Sequence, residues 1–238
     1  MRKLIVIGGI IVVVIAGLVS LLRVSRSTTF QFFGQIVPRV NTSQKVVALT
    51  FDDGPTADVT PQLLATLEQE GIHATFFVIG AELERNLDVG KRIVTAGHEL
   101  GNHSYNHDRM ILVTPSFVKQ EIEQTDQLIR TAGYQGEIHF RPPFGKKLFT
   151  LPYYLSRTNR KSIMWDVDPD SYPEIAVDSD RIVEFVLSKT RPGTIILLHV
   201  MYPSRVESLK AVKKIIEHLK AQGYSFKTVS ELMALENR

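Results

Sequence analysis

Hydrophobic positions run without a charged interruption from Leu4 to Leu22, with Arg2 and Lys3 before them and Arg23 and Arg26 after them. At about 1.5 Å per helical residue, such a run crosses a ~30 Å hydrocarbon layer. A cleaved signal peptide has a shorter apolar region and ends in a small-residue cleavage site, which this stretch lacks. The pattern therefore predicts an uncleaved membrane anchor over residues 1–23, and a secreted protein if the segment is cut. Basic residues on both flanks leave the orientation to the short N-terminus, which favours N-inside. Residues 24–44 are rich in Ser, Thr, Gln and Asn and are expected to form a linker to one domain, 45–238.

Within that domain the pattern alternates between short apolar runs and amphipathic stretches. Strands are predicted at Val46 to Phe51, Ala74 to Ile79, His98 to Asn102, Ile138 to Arg141, Ser162 to Val167, Thr194 to Leu198 and Ser225 to Val229. Helices are predicted at Pro61 to Glu70, Leu83 to Ala96, Pro115 to Ala132 with Thr114 as N-cap, Asp180 to Lys189, and Val206 to Ala221. Strand and helix in regular alternation argue for an α/β fold with a parallel sheet. Seven strands suit a closed, barrel-like sheet better than a small open one.

Composition narrows the function. The chain is 44% hydrophobic and 22% charged, enough to bury a full core. A net charge of +3 and a pI of about 9.0 come without a long cationic run, so nucleic acid is not indicated as a partner, and no feature marks a protein partner. The absence of cysteine excludes disulfides, thiolate metal sites and a Cys nucleophile.

Two short stretches carry candidate chemistry. "TFDDGP" places Asp52 and Asp53 side by side at the end of the first strand, where successive side chains point to opposite faces and can do separate work. Asp-Gly-Pro also suits a plain turn, with one Asp capping the next helix. "GNHSYNH" spaces His103 and His107 four apart, which on a helical turn puts both imidazoles on one face. With Asp53 they make a three-ligand set that leaves positions free for water and substrate, as a catalytic metal requires; the same set suits Fe(II). Arg141, Asp168 and His199 also fall at strand ends, the rim where α/β folds gather ligands.

"TFDDGP", "HSYNH", "RPPFG", "WDVDPDSY" and "LLH", in this order, resemble the five motifs of the polysaccharide deacetylases, carbohydrate esterase family 4, also called NodB-homology enzymes. The resemblance spans nearly all of 45–238. It implies a distorted (β/α) barrel that removes acetyl groups from N-acetylated sugars with a divalent metal, commonly Zn2+, with Co2+, Ni2+ or Mn2+ as alternatives. It makes Asp53, His103 and His107 the metal ligands, Asp52 the general base, His199 the general acid and Arg141 the residue that orients the base. Pro142, Pro143 and Phe144 would wall the groove. Similar enzymes end the fourth motif with Asp and Trp, where this chain has Ser171 and Tyr172. Asp168 or Asp170 would then have to support the Arg and His, and Tyr172 would offer a surface for a sugar ring. Trp165 reads as core.

The expected protein is a membrane-anchored, extracytoplasmic N-deacetylase of a cell-envelope glycan, with peptidoglycan amino sugars as substrate. Two alternatives are a catalytically inactive glycan-binding or wall-maintenance protein of the same fold, and a non-haem iron oxygenase.

Overall fold

The computed structural model describes residues 2–236. Its first element, α1 (Arg2–Arg26), contains the segment Val6–Arg26, whose mean hydropathy of 2.5 and length are enough to cross a membrane. The remaining chain forms strands β1 (Ile36–Val37), β2 (Val46–Asp52), β3 (Thr75–Val78), β4 (Glu99–Asn102), β5 (Ser162–Ile163), β6 (Ile195–Leu198) and β7 (Ser225–Phe226). Around them lie α2 (Thr60–Gln69), α3 (Gly80–Arg85), α4 (Leu87–Thr95), α5 (Pro115–Thr131), α6 (Thr150–Arg157), α7 (Pro173–Ala176), α8 (Ser179–Lys189), α9 (Val206–Ala221) and α10 (Val229–Met233).

All named strands pair in parallel, in the order β4-β3-β2-β6, with β7 also on β2 and β1 on β5. Every residue of β2 is buried, because helices cover a parallel sheet on its outer face and the barrel fills its inner one. That is why the strand reads as a continuous apolar run. The rest of the circuit closes through single-residue bridges: Phe140 joins Asn102 to Ser162, and Val167 meets Ile196. The barrel is therefore distorted, with ladders on one side and point contacts on the other. The strand expected at Ile138 to Arg141 is reduced to the Phe140 bridges, and the one expected at Ser162 to Val167 to two residues.

Three further expectations change. The helix predicted from Leu83 to Ala96 breaks at Asn86, whose side-chain amide donates to the carbonyls of Pro55 and Glu82, both at 3.0 Å. The last strand stops early because Thr228 and Glu231 form a capping box that starts α10. Residues 24–44, expected as a linker, are largely packed against the domain. Val40 is buried among Val46, Ala48, Ile163 and Ile195, β1 pairs with β5, and Val40 N donates to Gly193 O at 3.0 Å. The polar composition misleads because Gln31 and Thr42 are themselves buried.

This packing generates a prediction. Gly193 has φ +79°, and a Cβ there would sit 1.9 Å from Val40 O. Gly193→Ala should destabilise the domain by roughly 2 kcal/mol or more in chemical denaturation. Gly71→Ala, at φ +57° with nothing near the added carbon, should cost about 1 kcal/mol from backbone strain alone. Equal losses would show that residues 36–44 are not integral to the barrel.

Candidate active site

The carboxyl ends of β2, β4 and β6, with the bridges at Phe140 and Val167, carry Asp52, His103, His199, Arg141 and Asp168 to one rim. A cleft of about 310 Å³ opens there, lined among others by Asp52, Asp53, His103, His107, Phe144 and His199.

The adjacent aspartates separate because the chain turns between them. Asp52 is the last residue of β2 and points inward, 2% exposed. Asp53 is left-handed at φ 71°, and Gly54 follows at φ 56°, where a Cβ would come within 2.8 Å of Met201 Cβ. Left-handed backbone at a non-glycine residue is costly and persists where the surroundings enforce it. Ser104, His107 and Phe144 share this conformation, so four of the five such residues described lie in the loops of the site.

Asp52 is held by Arg141, which is fully buried. Its Nη1 donates to Asp52 Oδ1 at 2.5 Å and to Thr50 Oγ1 at 2.9 Å, while Nε and Nη2 reach the carbonyls of Ile163 and Met164 at 3.3 and 3.1 Å. The guanidinium lies 4.0 Å from the Phe77 ring centroid. Asp52 thus keeps one oxygen tied down and the other, Oδ2, near the cleft, 3.6 Å from His103 Nε2.

The three-ligand set converges. Asp53 Oδ1 lies 3.2 Å from His107 Nε2 and 3.8 Å from His103 Nε2, close enough to share one ion. His103 Nδ1 donates to Arg141 O at 2.8 Å; a carbonyl only accepts, so the proton sits on Nδ1 and Nε2 is free to ligate. Burial, then the neighbouring His107, pushes the His103 pKa down to about 3, and burial lowers that of His107, so both imidazoles stay neutral as a metal needs. Asp53 Oδ1 is buried without a hydrogen-bond partner. An unpaired carboxylate oxygen facing two neutral imidazole nitrogens fits a divalent cation.

The two histidines are not on a helical turn, as their spacing predicted. They occupy an irregular loop fixed from α5: Glu121, 2% exposed, accepts from the backbone of Tyr105 and Asn106 at 2.9 and 2.8 Å and from the Asn106 side chain at 2.6 Å. Ser104 Oγ accepts from His107 N at 3.0 Å. Glu121 escaped the sequence reading. Its signal was a charged residue among the buried positions Val118, Ile122, Thr125 and Ile129 of α5.

His199 is supported by Asp170, whose Oδ2 accepts from His199 N at 2.7 Å and lies 3.2 Å from Nδ1. Ser208 of α9 fixes the other oxygen of Asp170 at 2.6 Å. Burial opposes charge on His199, but its hydrogen bond to Asp170 and the charges of Asp52 and Asp53 outweigh it and raise its pKa to about 9. Those same bonds hold the Asp170 carboxyl below its usual value against the effect of burial. Of the two candidates for support, Asp170 serves His199. Asp168 instead accepts from Ser171 Oγ at 2.5 Å, and burial raises its pKa.

The expected groove wall is placed only in part. Phe144 lines the cleft, half exposed, against His107, but Pro142 and Pro143 are buried beneath it. Tyr172 faces an adjoining hollow and packs on Phe185. Trp165, read as core, lines both spaces, as Asp168 and Ser171 do. Nothing in a mid-strand tryptophan announces this, because the strand ends two residues before it.

The Glu121 contacts yield a prediction independent of turnover. Glu121→Ala should leave three backbone and side-chain donors of the histidine loop unmatched and weaken Zn2+ binding by roughly 10–100-fold in a titration, the usual effect of losing a residue that orients ligands. Unchanged affinity would mean the loop holds its shape without α5.

Comparison with known proteins matches this chain to a family. A family model described as polysaccharide deacetylase matches residues 39–162. A peptidoglycan-N-acetylglucosamine deacetylase of Bacillus cereus is 34% identical over 203 residues, covering 84% of this chain and 93% of its own. A chitooligosaccharide deacetylase of Bradyrhizobium sp. is 33% identical over 198 residues, covering 78% of this chain and 90% of its own. Among solved structures, the Bc1960 peptidoglycan N-acetylglucosamine deacetylase superposes with a TM-score of 0.77 at 32% identity, over 84% of this chain and 94% of that one. A pseudoenzyme of carbohydrate esterase family 4 from Bacillus anthracis superposes with a TM-score of 0.73 at 26% identity, over 89% and 72%. Family model, relatives and fold agree: this chain is a member of the polysaccharide deacetylases, carbohydrate esterase family 4, with their α/β barrel.

Proposed function

We propose that this protein hydrolyses the N-acetyl groups of amino sugars in peptidoglycan, releasing acetate, with Zn2+ held by Asp53, His103 and His107 and the domain anchored outside the membrane by α1. The observation that carries the reading is that two differently supported groups, Asp52 on Arg141 and His199 on Asp170, line one cleft with the three-ligand set. The peptidoglycan deacetylases among its relatives support the substrate.

Amide hydrolysis needs a strong nucleophile, a stabilised oxyanion and a protonated leaving nitrogen. A divalent ion in this site supplies Lewis-acid activation of water and of the amide carbonyl. Asp52, with one oxygen held by Arg141, accepts the proton of the attacking water through the other. His199, which carries its proton up to about pH 9, gives it to the departing amine. Phe144 and Trp165 offer ring surfaces on which the sugar packs. An oxygenase would leave Asp52, Arg141, His199 and Asp170 without work. An inactive reading draws on Ser171 and on the pseudoenzyme of the same fold, but here Asp170 already stands where His199 needs a carboxylate.

Acetate release from an N-acetylglucosamine oligomer, read beside metal content, tests the division of labour. Asp52→Asn keeps shape but cannot take a proton, so zinc should stay bound while turnover falls roughly 10²–10⁴-fold. Asp53→Ala should lose metal and activity together. Equal metal loss in both would refute separate roles, and no acetate from the unaltered protein would favour the inactive reading.

The pH profile tests the acid. A folded-state pKa raised to about 9 keeps His199 protonated below that pH, so activity should fall on the basic side as the proton is lost. Asp170→Asn removes the foremost interaction holding that charge and should move the basic limb to lower pH. Ser171→Asp should not raise turnover, because a carboxylate would replace the hydroxyl that donates to Asp168. A rate gain from Ser171→Asp, or an unmoved limb in Asp170→Asn, would show that Asp170 is not the supporting group.

A further inference from the structure

The far end of α1 is gripped by the domain. Ser25 is buried, and its carbonyl accepts from Lys147 N at 3.1 Å. The Lys147 ammonium, 1% exposed, donates to the carbonyls of Ser27 at 2.5 Å and Gly145 at 3.4 Å. Just beyond, the buried Gln31 side chain closes a tight loop by donating to Phe33 O at 2.7 Å and Gln35 O at 3.0 Å, and Phe30 N donates to Ser27 Oγ at 3.0 Å.

This rigid loop presents aromatic rings to the outside. Phe32 stacks on Phe149 with centroids 4.9 Å apart, Phe33 meets Tyr153 edge-on at 5.5 Å, and Phe30 meets Phe32 at 5.6 Å. All five rings are 41–53% exposed. A contiguous exposed apolar surface of this kind marks a place where something else binds. Arg23 and Arg26 lie in the last turn of α1, and Lys146 lies near enough to Arg26 for that charge, after burial, to lower its pKa. Among the described residues none of these three cations pairs with a carboxylate.

We infer that this aromatic and basic face rests on the surface of an anionic lipid bilayer, so that α1 and the face together hold the catalytic domain in one orientation. The inference rests on the reading of α1 as a membrane anchor. Lipid is favoured over a protein partner because the face continues directly from the apolar segment Val6–Arg26. Aromatic rings next to a spanning helix settle at the headgroup level, and unpaired cations there attract anionic headgroups. The loop that supplies Phe144 to the cleft also supplies Lys147 and Phe149 to the anchor joint. The cleft is thereby held at a fixed height, and glycan close to the bilayer is what it reaches.

The test uses the full chain in phosphatidylcholine vesicles, with or without phosphatidylglycerol, some containing phosphatidylcholine brominated on the upper acyl chain. The unaltered protein has a single tryptophan, Trp165 in the cleft, which sets the baseline. Phe149→Trp adds an indole to the face, and Tyr153→Trp is a second probe that leaves the stack of Phe32 on Phe149 intact. Both variants should be quenched by the brominated lipid several-fold more than the unaltered protein, and less when phosphatidylglycerol is omitted or in Lys146→Glu. Protein stripped from the vesicles by alkaline washing would overturn the anchor and the seat with it. Protein that stays embedded while both introduced indoles remain unquenched would overturn the seat alone. Quenching indifferent to phosphatidylglycerol and to Lys146→Glu would overturn the assignment to anionic lipid.

Discussion

The ion pair between Arg141 and Asp52 ties the barrel to its chemistry. Arg141 has no solvent exposure, and it reaches Thr50 and Asp52 on β2 and the carbonyls of Ile163 and Met164 on the far side of the barrel. That far side is joined to the rest of the sheet by single-residue bridges, with only the two-residue β1–β5 pair as a ladder, so the guanidinium supplies contacts that the backbone ladder does not. Removing one partner of such a pair leaves an uncompensated buried charge, at a cost of roughly 3–5 kcal/mol. The same residue's carbonyl sets the tautomer of His103. One residue therefore positions Asp52, the proposed base, orients His103, a proposed metal ligand, and helps close the barrel.

Around this pair the site is assembled from strained loops held by buried polar contacts. Asp53, Ser104, His107 and Phe144 take left-handed backbone, and contacts that hold the site come from elsewhere in the chain: Glu121 of α5 on the backbone of Tyr105 and Asn106, and Ser208 of α9 through Asp170 on His199. The site is thus a property of the closed barrel and not of its motifs alone. The departure at Ser171 illustrates this. Moving the carboxylate one residue earlier, to Asp170, still reaches His199 because Ser208 turns the side chain toward it.

The sequence made legible what local periodicity and strand position determine. A strand buried on both faces reads as an apolar run, so β2, β3 and β6 were visible and their ends marked the rim. What stayed hidden depends on partners distant in the chain. Ile138 to Arg141 has strand composition but only Phe140 finds pairing partners. Asn86 breaks a helix by bonding a carbonyl 31 residues away. The His103 and His107 spacing suits a helix, yet Glu121 holds their loop open. Residues 24–44 carry a linker's polar composition, but Ile36 and Val37 pair with β5 and Val40 packs beside residues of β2, β5 and β6.

The central claim is that Arg141 serves the base through its side chain and the metal through its backbone. Arg141→Met removes the first and keeps the second, with Asp52→Asn/Arg141→Met as the folding control that leaves no unpaired charge. Acetate release and zinc content, measured side by side on folded protein, decide it. The account predicts zinc retained and turnover reduced at least ~10²-fold in Arg141→Met. Zinc lost in step with activity, or turnover preserved, would contradict it.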